Sequence, residues 1–242
     1  QANQSILLII IQWTKFTQNL FYASEDNGLA ALIYAPSEVK ARVSNGIEIT
    51  VVEETGYPFN ENIRFTINTK EAAVKFPFHF RIPGWCREAT ININGKKYDA
   101  YKGGQIIKID REWKNGDVAE LVFPMEVSIS RWHQNSAVVE RGPLVYALKI
   151  GESWKHVQNK DWYGNYWEVY PTTPWNYGLI DVLHKKPENE WQKWNEPLVP
   201  AEAEQIQKAF QVVKKNWDGH YPWNLANAPI EIKAKARVFL NG

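Results

Sequence analysis

The chain of 242 residues carries 28 basic and 27 acidic side chains, for a formal net charge of +1. This balance argues against a nucleic acid or an anionic membrane as a partner held by bulk electrostatics. One cysteine, Cys86, excludes an internal disulfide framework and a cysteine-rich zinc site within the chain. Aromatic residues make up 14% of the sequence. They suit a large aromatic core, the commoner use, or a surface that faces carbohydrate.

The N-terminal part combines a short apolar run with a helical pattern. Within residues 5–11, Ile6 to Ile11 form an apolar run that is too short to cross a bilayer, which takes about 20 residues. No positive residue precedes the run and no small-residue cleavage site follows it, so it is not an obvious signal peptide. Trp13, Phe16 and Leu20 then fall at helical spacing, which predicts an amphipathic helix over residues 12–24.

Alternating apolar and polar residues predict a half-buried antiparallel sheet in the next part of the chain. Ile47, Ile49 and Val51 are expected to share its core face, because side chains two apart along a strand lie on the same side. The predicted strands span residues 29–34, 47–52, 63–67 and 76–82. Pro77 cannot donate to a strand ladder, so it places the last strand at an edge or moves its start to Phe78.

Asn-Gly pairs mark the turns that follow. Asn94-Gly95 and Asn115-Gly116 tolerate the positive φ angles of two-residue turns and predict two hairpins. Between them, a strand at residues 105–109 is entered through Gly103-Gly104. Several short strands with turns at this spacing are typical of a sandwich or jelly roll. The sequence therefore predicts an all-β fold of two packed antiparallel β-sandwich or jelly-roll units with a short N-terminal helix.

The second half of the chain has a weaker pattern. A strand at residues 127–129 and an apolar segment at 137–148 continue the β structure, and we place a domain boundary near residue 127. Residues 152–196 then lose periodicity and carry several tryptophans among Gly, Pro and Asn. A long stretch of this kind inside a compact protein is usually functional or wraps a neighbouring part of the molecule.

Several short motifs appear in an order that matches a known family. They are Ala35-Pro36-Ser37-Glu38-Val39, Glu54-Thr55-Gly56-Tyr57-Pro58, Arg81-Ile82-Pro83-Gly84-Trp85, Asn94-Gly95, Asp110-Arg111-Glu112-Trp113 with Gly116-Asp117, Glu140-Arg141-Gly142-Pro143-Leu144-Val145-Tyr146, Tyr170-Pro171-Thr172-Thr173-Pro174-Trp175-Asn176-Tyr177-Gly178-Leu179 and Ala228-Pro229-Ile230. Together they resemble the C-terminal β portion of glycoside hydrolase family 127, the β-L-arabinofuranosidase-like proteins, over roughly residues 13–238.

The resemblance implies a particular division of the chain. Residues 1–27 are expected to be a helical stub, the last helix of a missing barrel. Residues 28–127 are expected to form one β-sandwich domain, and residues 128–242 a second, loop-rich and truncated one. At residues 202–214 the spacing favours a helix. The resemblance favours a strand around residues 210–213, and we predict the strand.

The resemblance also implies what lies outside this chain. Proteins of this family have an N-terminal (α/α)6 barrel that holds the catalytic carboxylates and a zinc-bound nucleophilic cysteine. We therefore expect the chain to be a bacterial accessory fragment whose main partner is that barrel. No catalytic residue, metal site or cofactor is carried over to this chain, since the zinc belongs to the barrel. The parent protein is expected to be secreted or periplasmic rather than cytoplasmic.

The residues themselves offer few catalytic candidates. Cys86 needs a nearby cation or histidine to become a reactive thiolate, and a buried structural cysteine is the commoner case. Glycoside hydrolysis ordinarily takes two carboxyl groups at a fixed separation. Glu53 and Glu54 are adjacent on a predicted strand, so they point to opposite faces and cannot flank one bond. The five histidines have no short metal-ligand spacing.

The tryptophan-rich stretch is the remaining candidate site. Trp162, Trp167 and Trp175 on loops are candidates for substrate binding, because aromatic rings stack on the C–H faces of sugars. The alternative is that they pack against the missing barrel, which is the more economical use of these side chains. The function predicted is a non-catalytic accessory region of a β-L-arabinofuranosidase-type hydrolase that acts on plant polysaccharide or glycoprotein sugars. The alternatives are an autonomous carbohydrate-binding module and an interaction or dimerisation domain.

Overall fold

Most of the residues that the structure describes lie in β-strands, which confirms the predicted all-β class. The computed structural model describes residues 14–133, 136–159, 164–179, 200–220, 222 and 226–238. Two compact units divide the chain, Gln1–Met125 and Glu126–Gly242. No helix among the described residues is long and apolar enough to cross a membrane. The apolar run at residues 5–11 lies outside the described residues.

The first unit contains a four-stranded and a six-stranded sheet. Its strands are β1 Phe21–Ala23, β2 Leu29–Ala31, β3 Ser37–Val43, β4 Ile47–Thr55, β5 Asn62–Thr69, β6 Val74–Ile82, β7 Glu88–Ile93, β8 Lys96–Lys102, β9 Gln105–Trp113 and β10 Asp117–Val122. The strand order is β1-β2-β6-β9 in one sheet and β3-β4-β5-β10-β7-β8 in the other. All pairs are antiparallel except β2 with β6, which is parallel.

An aromatic core joins the two sheets of this unit. Phe65 of the six-stranded sheet has ring-centroid distances of 5.5 Å to Phe78 and 5.3 Å to Phe80, both in the other sheet. The Trp113 side chain is fully buried, and its indole N–H donates to the carbonyl of Phe76 at 3.1 Å. Alternation along each strand supplies these inward residues, as the sequence predicts, and the two sheets form a β-sandwich.

The N-terminal prediction is only partly correct. Residues 14–18 are helical, but Phe21–Ala23 is a strand that pairs with β2, so the predicted helix over residues 12–24 is too long. Pro77 does not begin its strand either. It lies inside β6, opposite Asp110 of β9, while β2 pairs with β6 only from Phe78 onwards. The proline is tolerated because its side of β6 has no ladder partner at that position.

The Asn-Gly turns have two different roles. Asn94-Gly95, with φ angles of 51° and 76°, joins the paired strands β7 and β8, which confirms the predicted hairpin. Asn115-Gly116 instead connects β9 to β10, which lie in different sheets, so the second predicted hairpin is wrong. Here the Gly116 N–H donates to the carbonyl of Ile67 at 2.8 Å. The turn is thus held by the end of β5 and not by a hairpin partner.

A tight corner follows β6 at Pro83-Gly84-Trp85-Cys86. A Cβ atom added to Gly103 would lie 2.1 Å from the Cys86 carbonyl oxygen and 2.5 Å from that of Pro83. Only glycine fits at position 103, because the β8–β9 connection lies directly against the backbone of the corner there. A Cβ atom added to Gly84 would have nothing within 4 Å. The corner therefore depends more on the glycine at position 103 than on the one at position 84.

The second unit consists of several small antiparallel sheets. Its elements are β11 Val127–Arg131, β12 Ala137–Arg141, β13 Leu144–Tyr146, β14 Glu152–Val157, β15 Tyr166–Pro171, β16 Tyr177–Leu179, a helix Pro200–Ala209, β17 Phe210–Lys214, β18 Ile230–Ala234 and β19 Ala236–Val238. The described sheets are β11-β12-β13, β14-β15, β16-β19 and β17-β18. Its buried core cluster is small and centres on Val127, Ile206 and Phe210.

Two sequence predictions in this unit are settled by its elements. The strand predicted at residues 210–213 is confirmed as part of β17, and the helical spacing before it corresponds to the helix Pro200–Ala209. The Gln207 side chain ties this helix to β11, donating to the Val127 carbonyl at 2.7 Å. The prediction of an aperiodic loop over residues 152–196 is wrong for the first part of this range, where β14 and β15 form an antiparallel pair.

Candidate functional site

The structure places the three candidate tryptophans in different settings. Trp162 lies outside the described residues. Trp167 is on β15 and not on a loop, which corrects the prediction, and 59% of it is exposed. Trp175 lies in the segment between β15 and β16 and is 66% exposed. The described members of the set are therefore surface side chains, one on a strand and one beside it.

Trp167 belongs to a hairpin whose two faces differ in chemistry. The register pairs Trp154 with Val169 and His156 with Trp167. Residues opposite one another and residues two apart share a face, so these four side chains lie on one side of the hairpin. We call this set, Trp154, His156, Trp167 and Val169, the aromatic face. Sequence reasoning missed it, because neither strand of the hairpin shows an apolar-polar alternation.

The rings of the aromatic face contact one another and remain open to solvent. The Trp154 and Trp167 ring centroids are 6.4 Å apart with an interplanar angle of 72°. The His156 ring lies 4.8 Å from Trp167. The indole N–H of Trp154 donates to Oε2 of Glu152 at 2.9 Å. These contacts fix the orientation of the rings while leaving large apolar surfaces in water, which is uncommon for a surface without a partner.

The opposite face of the hairpin carries a charged network. Oε2 of Glu168 accepts hydrogen bonds from the Tyr170 hydroxyl at 2.8 Å and from Nζ of Lys155 at 3.2 Å. These hydrogen bonds, Tyr170 first, lower the pKa of Glu168, and the bond to Glu168 raises the pKa of Lys155 and of Tyr170. The network is solvated, so its main effect is to hold the two strands and the Tyr170 ring in place.

Trp175 forms one wall of a shallow cleft at the end of the hairpin. The cleft has a volume of about 340 Å³, and its lining includes Gly151, Glu152, Val169, Tyr170, Pro171 and Trp175. This volume lies near the lower end of small-molecule sites. All of these residues belong to the second unit.

Two hydrogen bonds fix the loop that leads to Trp175. The Gly151 N–H donates to Oγ1 of Thr173 at 2.9 Å, and the Thr172 N–H donates to the Gly151 carbonyl at 2.7 Å. A Cβ atom at Gly151 would lie 2.4 Å from Oγ1 of Thr172. The close packing of this glycine against the loop therefore positions the cleft wall.

The first unit contains a buried carboxyl group, Glu53, that sequence reasoning left without a role. Its side chain continues the inward face of β4 and is 2% exposed, whereas the neighbouring Glu54 points outward. Oε1 accepts the Ala35 N–H at 3.0 Å, and Oε2 lies 3.3 Å from Oγ of Ser37. Burial raises the pKa of Glu53 to about 8, and the hydrogen bonds with Ala35 and Ser37 oppose this only in part.

The geometry agrees with a protonated Glu53. The Ser37 hydroxyl has one proton, which it donates to the Ala35 carbonyl at 2.8 Å. The same hydroxyl lies 3.3 Å from Oε2 of Glu53, a longer contact that stabilises a negative charge on the carboxyl group only weakly. Glu53 is thus a neutral acid at pH 7 that joins β4 to the segment before β3. It has a structural role in the sandwich core.

Cys86 and the other acids of the first unit are also engaged in its structure. Cys86 is 1% exposed, and burial raises the pKa of its thiol to about 11, which confirms the structural interpretation. Arg64 bridges Glu54 at 3.7 Å and Glu120 at 3.0 Å across adjacent strands. Asp117 accepts bonds from the Asn94 side chain and the Lys114 N–H.

The described residues do not fit a zinc ion. No group of three or more His, Cys, Asp and Glu side chains among them could hold a metal. The nearest approach to a ligand pair is His79, whose Nε2 is 3.1 Å from both carboxylate oxygens of Asp26. Nζ of Lys108 lies 3.8 Å from the same carboxylate, a position that disfavours a cation there.

Comparison with known proteins assigns the first unit to a class. Residues 28–125 match the family model described as "Beta-L-arabinofuranosidase, GH127 middle domain". These residues comprise β2 to β10 and most of the sandwich core. The resemblance seen in the sequence is therefore confirmed over residues 28–125, which are similar to a GH127 middle domain. No curated protein was found to match the chain.

Three solved structures show partial similarity. One, described as a glycoside hydrolase, is 34% identical over 50% of this chain and 21% of its own, with a TM-score of 0.45. A GH127 β-L-arabinofuranosidase from Geobacillus stearothermophilus T6 is 24% identical over 76% of this chain and 30% of its own, with a TM-score of 0.49. A GH127 β-arabinofuranosidase is 21% identical over 61% of this chain and 29% of its own, with a TM-score of 0.44. The chain thus spans less than a third of each.

Proposed function

We propose that this chain is a non-catalytic accessory β region of a glycoside hydrolase of the β-L-arabinofuranosidase type. The observation that carries the proposal is the match of residues 28–125 to a GH127 middle domain. A middle domain, by its description, has further domains on both sides in the proteins that define it. We propose that a catalytic barrel is one of them and that this chain braces it.

The side chains of the first unit support a non-catalytic role for that unit. A retaining or inverting hydrolase uses two carboxyl groups that face one substrate bond. Glu53 is buried and bonded to Ala35 and Ser37, while Glu54 and Glu120 pair with Arg64 on the outer surface. The Cys86 thiol is buried. Each of these groups already stabilises the sandwich, and none is free to act on a glycosidic bond.

A turnover assay tests this proposal directly. The purified chain is incubated with a chromogenic β-L-arabinofuranoside, with and without added Zn²⁺, and sugar release is measured against a protein-free blank. We expect no release above the blank in either condition. The variants Glu53→Gln and Cys86→Ser are the controls, because they remove the most deeply buried acid and the thiol described in the first unit. Release that either variant abolishes would overturn the proposal and identify a catalytic group in the sandwich.

Carbohydrate binding is a second candidate function, favoured by the exposed aromatic side chains of the second unit. We propose Trp167 and Trp175 as substrate-binding residues, with Trp162 as a further candidate from the sequence. Their exposure, 59% for Trp167 and 66% for Trp175, is high for side chains of this size and supports a role in binding. An accessory domain and a sugar-binding surface are compatible, because a hydrolase gains from holding its polymeric substrate nearby.

A further inference from the structure

The cleft beside Trp175 has the features of a binding site and not only of an exposed apolar patch. It is shallow and largely open to solvent, and its lining residues include Trp175 and Glu152. The Gly151 hydrogen bonds hold the loop before Trp175 in place, so this wall is preorganised.

The polar groups of the cleft suit a ligand that donates hydrogen bonds. Oε2 of Glu152 already accepts the Trp154 indole N–H. Its other carboxylate oxygen, Oε1, has no partner among the described residues. As part of an ionised carboxylate, this oxygen accepts hydrogen bonds and cannot donate them. A ligand that combines an apolar face with hydroxyl donors at its edge satisfies both the indole and this oxygen. Sugar rings have this combination, with C–H groups on the face and hydroxyls around the rim.

The aromatic face extends the cleft along the hairpin. Glu152, Trp154 and His156 follow one another on the same side of β14 and span about 13 Å, from the rise of a strand. Trp167 on β15 adjoins Trp154. The apolar surface is thus longer than one sugar ring and continues directly from the carboxylate of the cleft. A small cation, which an indole and a carboxylate would also attract, would leave this extension unused.

From this arrangement we propose that the Trp175 cleft binds one residue of an uncharged oligosaccharide and that the aromatic face binds the residues next to it. This rests on the proposed role in a carbohydrate-active protein and deepens it. Trp175 stacks on the first ring, Glu152 accepts its hydroxyl protons, and Trp154 and Trp167 contact the following rings. Affinity is therefore expected to rise with the length of the oligosaccharide.

The test uses the full chain labelled with 5-fluorotryptophan, whose fluorine NMR signals are assigned from single Trp→Phe variants. L-Arabinose, arabinan-derived oligosaccharides and choline are titrated separately. We expect saturable shifts of Trp175 with the monosaccharide and of Trp175, Trp154 and Trp167 with the oligosaccharides. Trp175→Ala should weaken binding of both sugars at least about tenfold, whereas Trp167→Ala should weaken only the oligosaccharides. Glu152→Gln should weaken binding of the monosaccharide.

The matched control is Trp132→Ala. Trp132 is 67% exposed, like Trp175, and lies in the same unit but outside the cleft, so its removal should leave binding unchanged. The proposal is overturned if none of the three tryptophan signals moves at about 10 mM sugar, at which a site with a Kd of about 1 mM would be roughly 90% occupied. Shifts with choline but not with sugars would overturn it equally. Either failure leaves the accessory role standing, since that role is overturned only by turnover of substrate.

Discussion

The buried carboxyl group of Glu53 makes the stability of the first unit depend on pH in an unusual direction. An exposed glutamate is ionised above pH 4.5, whereas Glu53 keeps its proton up to a pKa of about 8 because it is buried. At 2% exposure a negative charge on Glu53 has little solvation, and the hydrogen bonds with Ala35 and Ser37 compensate for this loss only in part. Between these two pH values the folded protein therefore binds a proton that the unfolded chain has released.

The sign and size of the effect follow from proton linkage. Since the folded state holds the extra proton, Glu53 contributes stability that is fully present below pH 4.5 and lost as the pH rises through about 8. The gap between the two pKa values corresponds to at most about 5 kcal/mol. We expect Glu53→Gln to remove this loss, because a glutamine keeps the shape and hydrogen bonds of the neutral acid.

Urea unfolding of the wild type and of Glu53→Gln, from pH 5 to pH 9, measures the free energy of unfolding of each protein. Hydrogen exchange of backbone amides in β4 and β5 shows whether the change occurs in the first unit. The free energy of unfolding should be similar for the two proteins at pH 5, and the wild type should lose several kcal/mol relative to the variant by pH 9. Glu54→Gln is the matched control, because its exposed carboxyl predicts no such divergence. A constant difference between wild type and Glu53→Gln across this range would refute the protonated, buried state.

Two further predictions concern the corner after β6. Gly103→Ala should cost at least about 3 kcal/mol in urea unfolding, because the new Cβ would meet the carbonyls of Pro83 and Cys86, whereas Gly84→Ala should change stability by less than about 1 kcal/mol. Equal effects of the two substitutions would show that the close approach is absent. Cys86 should react more than about a hundredfold more slowly with a thiol-reactive disulfide at pH 8 in the native protein than in urea. Equal rates would mean that the thiol is exposed.

The core of the first unit could be predicted from the sequence because its strands obey a simple alternation. Ile49, Val51 and then Glu53 follow one another on the inward face of β4. The pattern placed Glu53 and Glu54 on opposite faces, but it gave no sign that Glu53 would be buried as a neutral acid. That outcome depends on Ala35 and Ser37, which are far from Glu53 in sequence and supply the hydrogen bonds. Sequence periodicity reports which face a residue occupies and not which partners it finds there.

The connections between sheets were harder to predict than the strands. Asn94-Gly95 and Asn115-Gly116 have the same turn chemistry, yet one closes a hairpin and the other crosses from one sheet to the other. The difference lies in the residues that follow. β10 pairs with β5 and β7, which are distant in sequence. This pairing places the chain after Gly116 in the six-stranded sheet, whereas β9 lies in the four-stranded sheet. A local turn signal fixes the geometry of a turn but not the sheet that its second strand joins.

The aromatic side chains differ in burial between the two units. Buried phenylalanines such as Phe65 and Phe78 fill the first sandwich, while exposed Trp154, Trp167 and Trp175 line the hairpin and cleft of the second unit. The hairpin escaped prediction because its two faces are both in water, so no apolar-polar alternation marks β14 and β15. A two-stranded sheet with exposed faces is marginally stable alone. The ring contacts of the hairpin and the hydrogen-bonded loop before Trp175 are therefore assigned to the sugar site that we propose, and the oligosaccharide titration tests this assignment.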